Sequence, residues 1–91
     1  MTDLMKYYFD TLTCGDDWTQ VGISTVHKPF ASIAITNDDE TYSAIVVLND
    51  LVESEITIKA GESVSINVDV YRFWYKSGTA GQTPIIRVVA D

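Results

Sequence analysis

Hydrophobic and polar residues alternate along most of the chain with a period of two, which is the pattern of β-strands with one buried face. The alternation is clearest in residues 55–59 (EITIK) and 63–70 (SVSINVDV), where the isoleucines and valines through Val70 take one face and polar residues take the other. Ala60-Gly61-Glu62 lies between these segments, and glycine can adopt the positive φ of a tight reversal. The pattern predicts a hairpin with one solvated face.

A second hairpin is predicted from residues 30–36 and 42–48, which are both rich in β-branched and aromatic residues. The intervening Asn37-Asp38-Asp39-Glu40 supplies side chains that favour turns. Residues 44–48 (AIVVL) are apolar at every position. We therefore expect them to form a central strand that is covered on both faces.

The ends of the chain add further extended segments. Residues 6–12, 20–26 and 84–90 each predict a strand, and the second should be a short edge strand because Pro29 has no N–H to continue a ladder. Residues 71–75 prolong the preceding extended run or turn a corner, and residues 77–83, with two glycines, predict a loop.

Six to eight short strands without helical crossovers predict one all-β domain over residues 1–91, an antiparallel β-sandwich or jelly roll, with a small barrel as the remaining arrangement. A chain of 91 residues builds one small core. Cys14 is the single cysteine, which excludes an intramolecular disulfide. We therefore expect a homo-oligomer, in which association adds to the stability of the fold.

Charge and hydropathy exclude two classes of partner. Six Lys and Arg against thirteen Asp and Glu give a net charge of −7, which repels a phosphate backbone, so nucleic acid is not an expected partner. The longest apolar run, Ala44–Leu48, is far shorter than the roughly 18 residues of a membrane-spanning helix, so no membrane partner is expected either. The first residues lack the basic and apolar regions of a secretory signal, which predicts synthesis in the cytoplasm.

Residues that could carry catalysis are few. His27 is the single histidine and precedes Lys28-Pro29, which is typical of a surface loop. Cys14 has no CxxC partner or nucleophile motif around it, so we expect a small buried hydrophobic residue. Phosphate-binding and hydrolase motifs are absent from the sequence. The sequence thus predicts a protein that is not an enzyme and holds no cofactor.

The acidic turns are the best candidates for a metal site. Asp16-Asp17 and the segment 37–40 offer oxygen ligands, of which Ca²⁺ takes about six to eight. The spacing of an EF-hand is absent, and Asp and Asn commonly stabilise turns through hydrogen bonds to their own backbone. Solvated turns are therefore expected and no metal ligand is predicted, with calcium as the alternative.

Tyr71, Phe73, Trp74 and Tyr75 form the densest aromatic patch of the sequence. Strand alternation places Phe73 and Tyr75 on one face and Trp74 with Arg72 on the other, so at most two of the rings can face solvent together. Exposed rings on a β scaffold anchor protein partners or stack on sugar rings. These four residues are the predicted interaction residues.

Residues 30–90 also resemble a known group of proteins in their sequence style. The segments SIAITNDDETYSAIVVLND, ITIKAGESVSINV and FWYKSGTAGQTPIIRVVA are similar to small β-sandwich accessory proteins of tailed bacteriophages, which include head decoration, cement, fibre and tail-associated modules. The resemblance implies a non-enzymatic virion structural protein without cofactor, located in the virion, which self-associates and binds capsid or tail proteins of the same particle. Similar AGE hairpins occur in adhesin and carbohydrate-binding domains, so a glycan-binding or host-recognition module is the alternative.

Overall fold

The computed structural model describes residues 7–91 and shows eight β-strands in two four-stranded sheets. The strands are β1 (Tyr8–Thr13), β2 (Thr19–Gly22), β3 (Ile33–Asn37), β4 (Ala44–Leu48), β5 (Ile56–Ile58), β6 (Ser63–Ile66), β7 (Arg72–Ser77) and β8 (Ile85–Ala90). The first sheet has the order β1-β8-β3-β6 and the second has the order β2-β7-β4-β5. All pairings are antiparallel.

This strand order is that of a jelly roll. The chain pairs β4 with β5, β3 with β6, β2 with β7 and β1 with β8, as if one long hairpin had been rolled up from its tip. The prediction of an all-β antiparallel fold with six to eight strands is confirmed, and the topology selects the jelly roll. Within residues 7–91 there is no helix of the length and apolarity that a membrane crossing needs.

Alternate residues of each strand fill the single core between the sheets. β8 shows this most regularly, because Ile86, Val88 and Ala90 are fully buried while the residues between them are exposed. Phe73 is fully buried in the middle, with ring centroids 6.4 Å from Tyr8 in an edge-to-face arrangement and 6.1 Å from Tyr75. The large apolar side chains that are fully buried in this cluster include Ile33, Ile35, Val46, Ile58, Phe73, Ile86 and Val88.

Both predicted hairpins are wrong in their pairing. β3 and β4 lie in different sheets, and so do β5 and β6. Gly61 has the expected positive φ of 75°, but the turn at residues 59–62 carries the chain from the second sheet to the first instead of joining two paired strands. A tight turn is compatible with either course, so its residues alone do not decide which strands pair.

Asn37 gives a physical reason for the crossing between β3 and β4. Its side chain is fully buried, and Nδ2 donates hydrogen bonds to the carbonyl oxygens of Tyr42 and Ile58, both at 2.9 Å. Oδ1 accepts a hydrogen bond from the backbone N–H of Asp39 at 2.9 Å. Because Asn37 ends β3 in the first sheet and Ile58 ends β5 in the second, this one amide ties the two sheets together.

Several strand boundaries differ from the prediction. β2 ends at Gly22 rather than at residue 26, because the N–H groups of Ile23 and Ser24 both donate to the carbonyl oxygen of Tyr71, which stops the ladder. β6 ends at Ile66, and Val68 is 43% exposed, so the predicted alternation does not extend to it. The predicted strands at 6–12 and 84–90 correspond to β1 and β8, although residue 6 lies outside the described residues.

Two predictions about strand position are confirmed. β2 is an edge strand of the second sheet, and β4 lies inside that sheet between β7 and β5. Val46 of β4 faces the core, whereas the next residue, Val47, points to the opposite face and is still fully buried. β4 is therefore covered on both sides, as its uninterrupted apolar sequence indicates.

Candidate functional site

The four predicted interaction residues separate onto different faces of β7. Phe73 and Tyr75 are 0% and 7% exposed and belong to the core, so they are out of reach of a partner in the folded protein. Trp74 lies on the outer face and is half-buried, as is Tyr71 just before the strand. Of the four residues, Tyr71 and Trp74 therefore remain available for contact, which agrees with the predicted alternation.

Arg72, Trp74 and Lys76 all point to the outer face of the second sheet, because alternate residues of β7 share a face. In the strand register, Gln20 of β2 lies beside Trp74 on one side and Val47 of β4 lies on the other. Val47 is the fully buried outer residue described above. The large side chains on this part of the outer face thus cover the apolar side chain of Val47.

Trp18 also lies on this surface, although the sequence alone did not indicate it. Trp18 immediately precedes β2, and the antiparallel register of β2 with β7 brings it to the level of Lys76. The Lys76 ammonium lies 4.7 Å from the centroid of the Trp18 ring, which is a cation–π contact. The sequence around Trp18 carries no signal for this contact, because it depends on a strand pairing between distant parts of the chain.

Arg72 lies between two aromatic rings. Its Cζ atom is 5.4 Å from the centroid of the Tyr71 ring and 5.1 Å from that of Trp74. Its Nε donates a hydrogen bond to the backbone oxygen of Asn49 at 2.6 Å. The guanidinium is thereby held in place while its terminal NH₂ groups make no hydrogen bond within the described part of the chain. We call Trp18, Tyr71, Arg72, Trp74 and Lys76 the aromatic-cationic face.

Asn49 fixes the corner at which this face begins. It has a φ of 68°, in the left-handed region that few non-glycine residues adopt. Its backbone N–H donates to the carbonyl oxygen of Arg72 at 2.8 Å, and its Oδ1 accepts from the N–H of Tyr71 at 3.0 Å. Its Nδ2 donates to the carbonyl oxygen of Asp69 at 2.8 Å. These bonds join the end of β4 to the start of β7 and position both Tyr71 and Arg72.

The charge of the aromatic-cationic face is opposite to that of the protein. Arg72 and Lys76 are two of six Lys and Arg residues in a chain of net charge −7. Among residues 7–91, the ion pair between Arg87 and Asp38 is the single salt bridge, so neither Arg72 nor Lys76 is neutralised by a carboxylate there. This surface therefore attracts acidic groups.

The other candidate residues occupy structural positions. Cys14 is fully buried, and burial raises the pKa of its thiol to about 11, so the thiol stays protonated at neutral pH. His27 lies exposed in a turn. Asp16 accepts a hydrogen bond from the N–H of Gly81 at 2.8 Å and so ties two loops together. The predictions of a buried cysteine and a surface histidine are confirmed.

The acidic segment 37–40 stabilises the crossing between the sheets. The carboxylate of Asp39 accepts hydrogen bonds from the N–H groups of Tyr42 at 2.7 Å and Thr41 at 2.9 Å, and these bonds lower the pKa of Asp39. Asp38 makes a bidentate pair with Arg87, at 2.6 and 3.0 Å. Within residues 7–91, no group of three or more His, Cys, Asp or Glu side chains is arranged to hold a metal ion.

Comparison with known proteins supports the fold. No protein-family model matches the chain, and no curated protein sequence matches it. Four solved chains match, among them a cupin-2 domain containing protein from Shewanella frigidimarina NCIMB 400. That structure has a TM-score of 0.54 and 12% sequence identity, and the match covers 97% of this chain and 72% of that one. At this identity the likeness shows a common β fold and carries no statement about function.

Proposed function

We propose that this jelly roll is a non-enzymatic structural module of a bacteriophage particle, which binds capsid or tail proteins of that particle and self-associates. The resemblance of residues 30–90 to phage accessory proteins supports the setting. The observation that carries the docking surface is the position of Arg72 against the rings of Tyr71 and Trp74 on the outer face of the second sheet.

The composition and rigidity of the aromatic-cationic face favour a protein partner. Trp, Tyr and Arg are the residue types that dominate the binding energy of protein interfaces. Arg72 is already held by Asn49 and by two rings, so it loses little conformational freedom when a partner docks. The partner surface should be acidic, because Arg72 and Lys76 lack carboxylate partners among the described residues.

The same charge distribution bears on self-association. Two copies of the aromatic-cationic face would repel each other across a two-fold axis, whereas the acidic remainder of a second copy would attract it. Head-to-tail contacts of this kind close into rings or continue as lattices. Such an arrangement suits a module that is present in many copies on a particle.

The proposed place of the chain in the virion is tested on particles purified from cells infected with the phage that carries the gene. Mass spectrometry of gradient-purified particles should find the chain in a constant ratio to the major capsid or tail protein. If the chain is abundant in the infected lysate but absent from the particles, a virion role is refuted.

The docking surface is tested with recombinant protein and particles that lack the chain. Trp74→Ala should weaken co-sedimentation by about thirtyfold or more, the size expected for an interface hot spot. Arg72→Ala should also weaken it, whereas Arg87→Ala removes the same charge from the outer face of the other sheet and should leave it unchanged. Circular dichroism establishes that each variant is folded, and equal binding by Trp74→Ala and the parent chain would refute the surface.

Glycan binding is the second candidate, because Trp18 and Trp74 lie on one sheet face where sugar rings could stack. Against it, Lys76 and Arg72 already occupy a face of each ring, at 4.7 and 5.1 Å. Lys76→Ala separates the two functions. It uncovers the Trp18 ring and should strengthen binding on a glycan array, whereas it removes a charge and should weaken docking on an acidic protein.

A further inference from the structure

A cleft of about 430 Å³ opens between the two sheets, on the side where β5 and β6 form their edges. The turn at residues 59–62 joins these strands at one end, and the cleft lies at the other end, where β5 begins and β6 stops. Its apolar lining comes from both sheets and from the segment after β6: Leu48, Ile56, Ile66 and Val68. The volume falls within the roughly 300 to 1,000 Å³ of typical ligand sites.

Exposed apolar side chains continue from the lining of this cleft onto the surface. Val68, which lines it, is 43% exposed. Leu51 and Val52 are 43% and 84% exposed, and they lie in the short segment between the lining residues Asn49 and Glu53. Apolar surface that is open to water at a concave place favours association with another apolar group.

The charged residue that lines the cleft is acidic, and so are the charged residues next to the lining residues in sequence. Glu53 is one of the lining residues, and among residues 7–91 no Lys, Arg or His lines the cleft. Asp50, Glu55 and Asp69 are exposed and follow directly in sequence on the lining residues Asn49, Ser54 and Val68. An occupant with positive charge beside its apolar part therefore fits this mouth.

We propose that this cleft is a second docking site, which takes an extended, basic segment of a partner protein with an aliphatic side chain inside and Lys or Arg on the acidic mouth. β5 and β6 are edge strands of different sheets, so each presents unpaired backbone N–H and carbonyl groups to such a segment. The required partner is basic, whereas the aromatic-cationic face requires an acidic one. The two sites therefore take partners of opposite charge, and Asn49, which lines the cleft and holds Tyr71 and Arg72, lies between them.

The site is tested by titrating the ¹⁵N-labelled protein with short peptides, blocked at both ends, and following amide shifts by NMR. A Lys-Leu-Lys-Leu-Lys peptide should shift the amides of Asn49, Ser54, Ile66 and Val68. A Lys-Ser-Lys-Ser-Lys peptide, which lacks the apolar anchor, and a Glu-Leu-Glu-Leu-Glu peptide, which has the wrong charge, should not.

Val68→Lys places a positive charge at the mouth and should weaken binding of the Lys-Leu peptide by about tenfold or more. Val89→Lys is the matched control, because Val89 is 39% exposed on the outer face of the first sheet and its substitution should change nothing. Because both valines are exposed, both variants should keep the fold, which their NMR spectra check.

Four results of the experiments with peptides and variants would overturn the proposal. These are no binding of the Lys-Leu peptide, equal binding of the Lys-Ser peptide, shifts that cluster on the outer face of β7, and equal weakening by Val89→Lys. Hexanol serves as a neutral probe. If hexanol alone produces the same shifts with an affinity no lower than that of the peptide, the cleft takes a small apolar ligand and the basic segment is refuted.

Discussion

Replacement of Asn37 tests the contact that ties the two sheets together. Asn37→Ala removes three hydrogen bonds of 2.9 Å, two that the side chain donates and one that it accepts, and leaves the backbone unchanged. The side chain is 0% exposed, so water has no ready access to the carbonyl oxygen of Ile58 after the amide is gone. The bonds to Tyr42 and Asp39 lie nearer the surface, where water can replace part of what is lost.

The expected loss in the free energy of unfolding follows from these differences in burial. A buried polar group left without a partner costs about 1 to 3 kcal/mol, and each lost hydrogen bond nearer the surface costs about 0.5 to 1.5 kcal/mol. Asn37→Ala should therefore reduce the free energy of unfolding by about 2 to 6 kcal/mol. In a domain of this size the lower value already corresponds to a fall in Tm of about 8 °C or more.

Urea and thermal unfolding followed by circular dichroism measure this loss. Asn67→Ala is the matched control, because Asn67 is an exposed asparagine whose side chain makes no hydrogen bond within the described residues, and its substitution should stay within about 0.5 kcal/mol. A loss below about 1 kcal/mol for Asn37→Ala, or an equal loss for Asn67→Ala, would refute the reasoning.

Asn49→Ala and Asn49→Gly lose the same side-chain hydrogen bonds, but alanine is also strained at a φ of 68°, so the alanine variant should be less stable by about 1 kcal/mol or more in urea unfolding. Equal free energies of unfolding for the two variants would show that the positive φ at position 49 does not strain alanine. Cys14, fully buried with a pKa raised to about 11, should react with an aromatic disulfide reagent at pH 8 only after denaturant is added. Rapid reaction of the native protein would show that the site opens. Hydrogen bonds from two backbone N–H groups lower the pKa of the Asp39 carboxyl in the folded protein. The ionised carboxylate therefore stabilises the fold at pH values above the unfolded pKa of about 3.9, and this contribution is lost as the pH falls through the lower folded pKa. The Tm difference between the parent chain and Asp39→Asn should accordingly become smaller from pH 7 to pH 2. A difference that stays constant would show that the negative charge of Asp39 does not stabilise the fold.

The local features of the strands were predictable from the sequence, because the direction of side chains along an extended backbone is a local property. In β8, buried and exposed residues alternate as an extended backbone requires, although the exposed Ile85 and Val89 are apolar, so the sequence alone did not indicate which face is buried. The separation of Phe73 and Tyr75 from Trp74 follows from the same rule. The positive φ of Gly61 also has a purely local cause.

The partners of each strand required the tertiary structure. The turn-forming segment 37–40 is compatible with a hairpin and with a crossing between sheets, and the buried amide of Asn37, bonded to Ile58 in the other sheet, accompanies the crossing. Trp18 meets Lys76 because β2 pairs with β7, and no local pattern reports that contact.

The sequence by itself predicted which segments are extended, that neighbouring side chains of a strand take opposite faces, and that an acidic chain without a disulfide builds one small core. The tertiary structure alone decided that these strands roll into a jelly roll, that Trp18 completes the aromatic-cationic face, and that a cleft remains between β5 and β6. The physical reason is that alternation acts within one strand, whereas pairing depends on which apolar faces and buried polar groups are satisfied together across the whole chain.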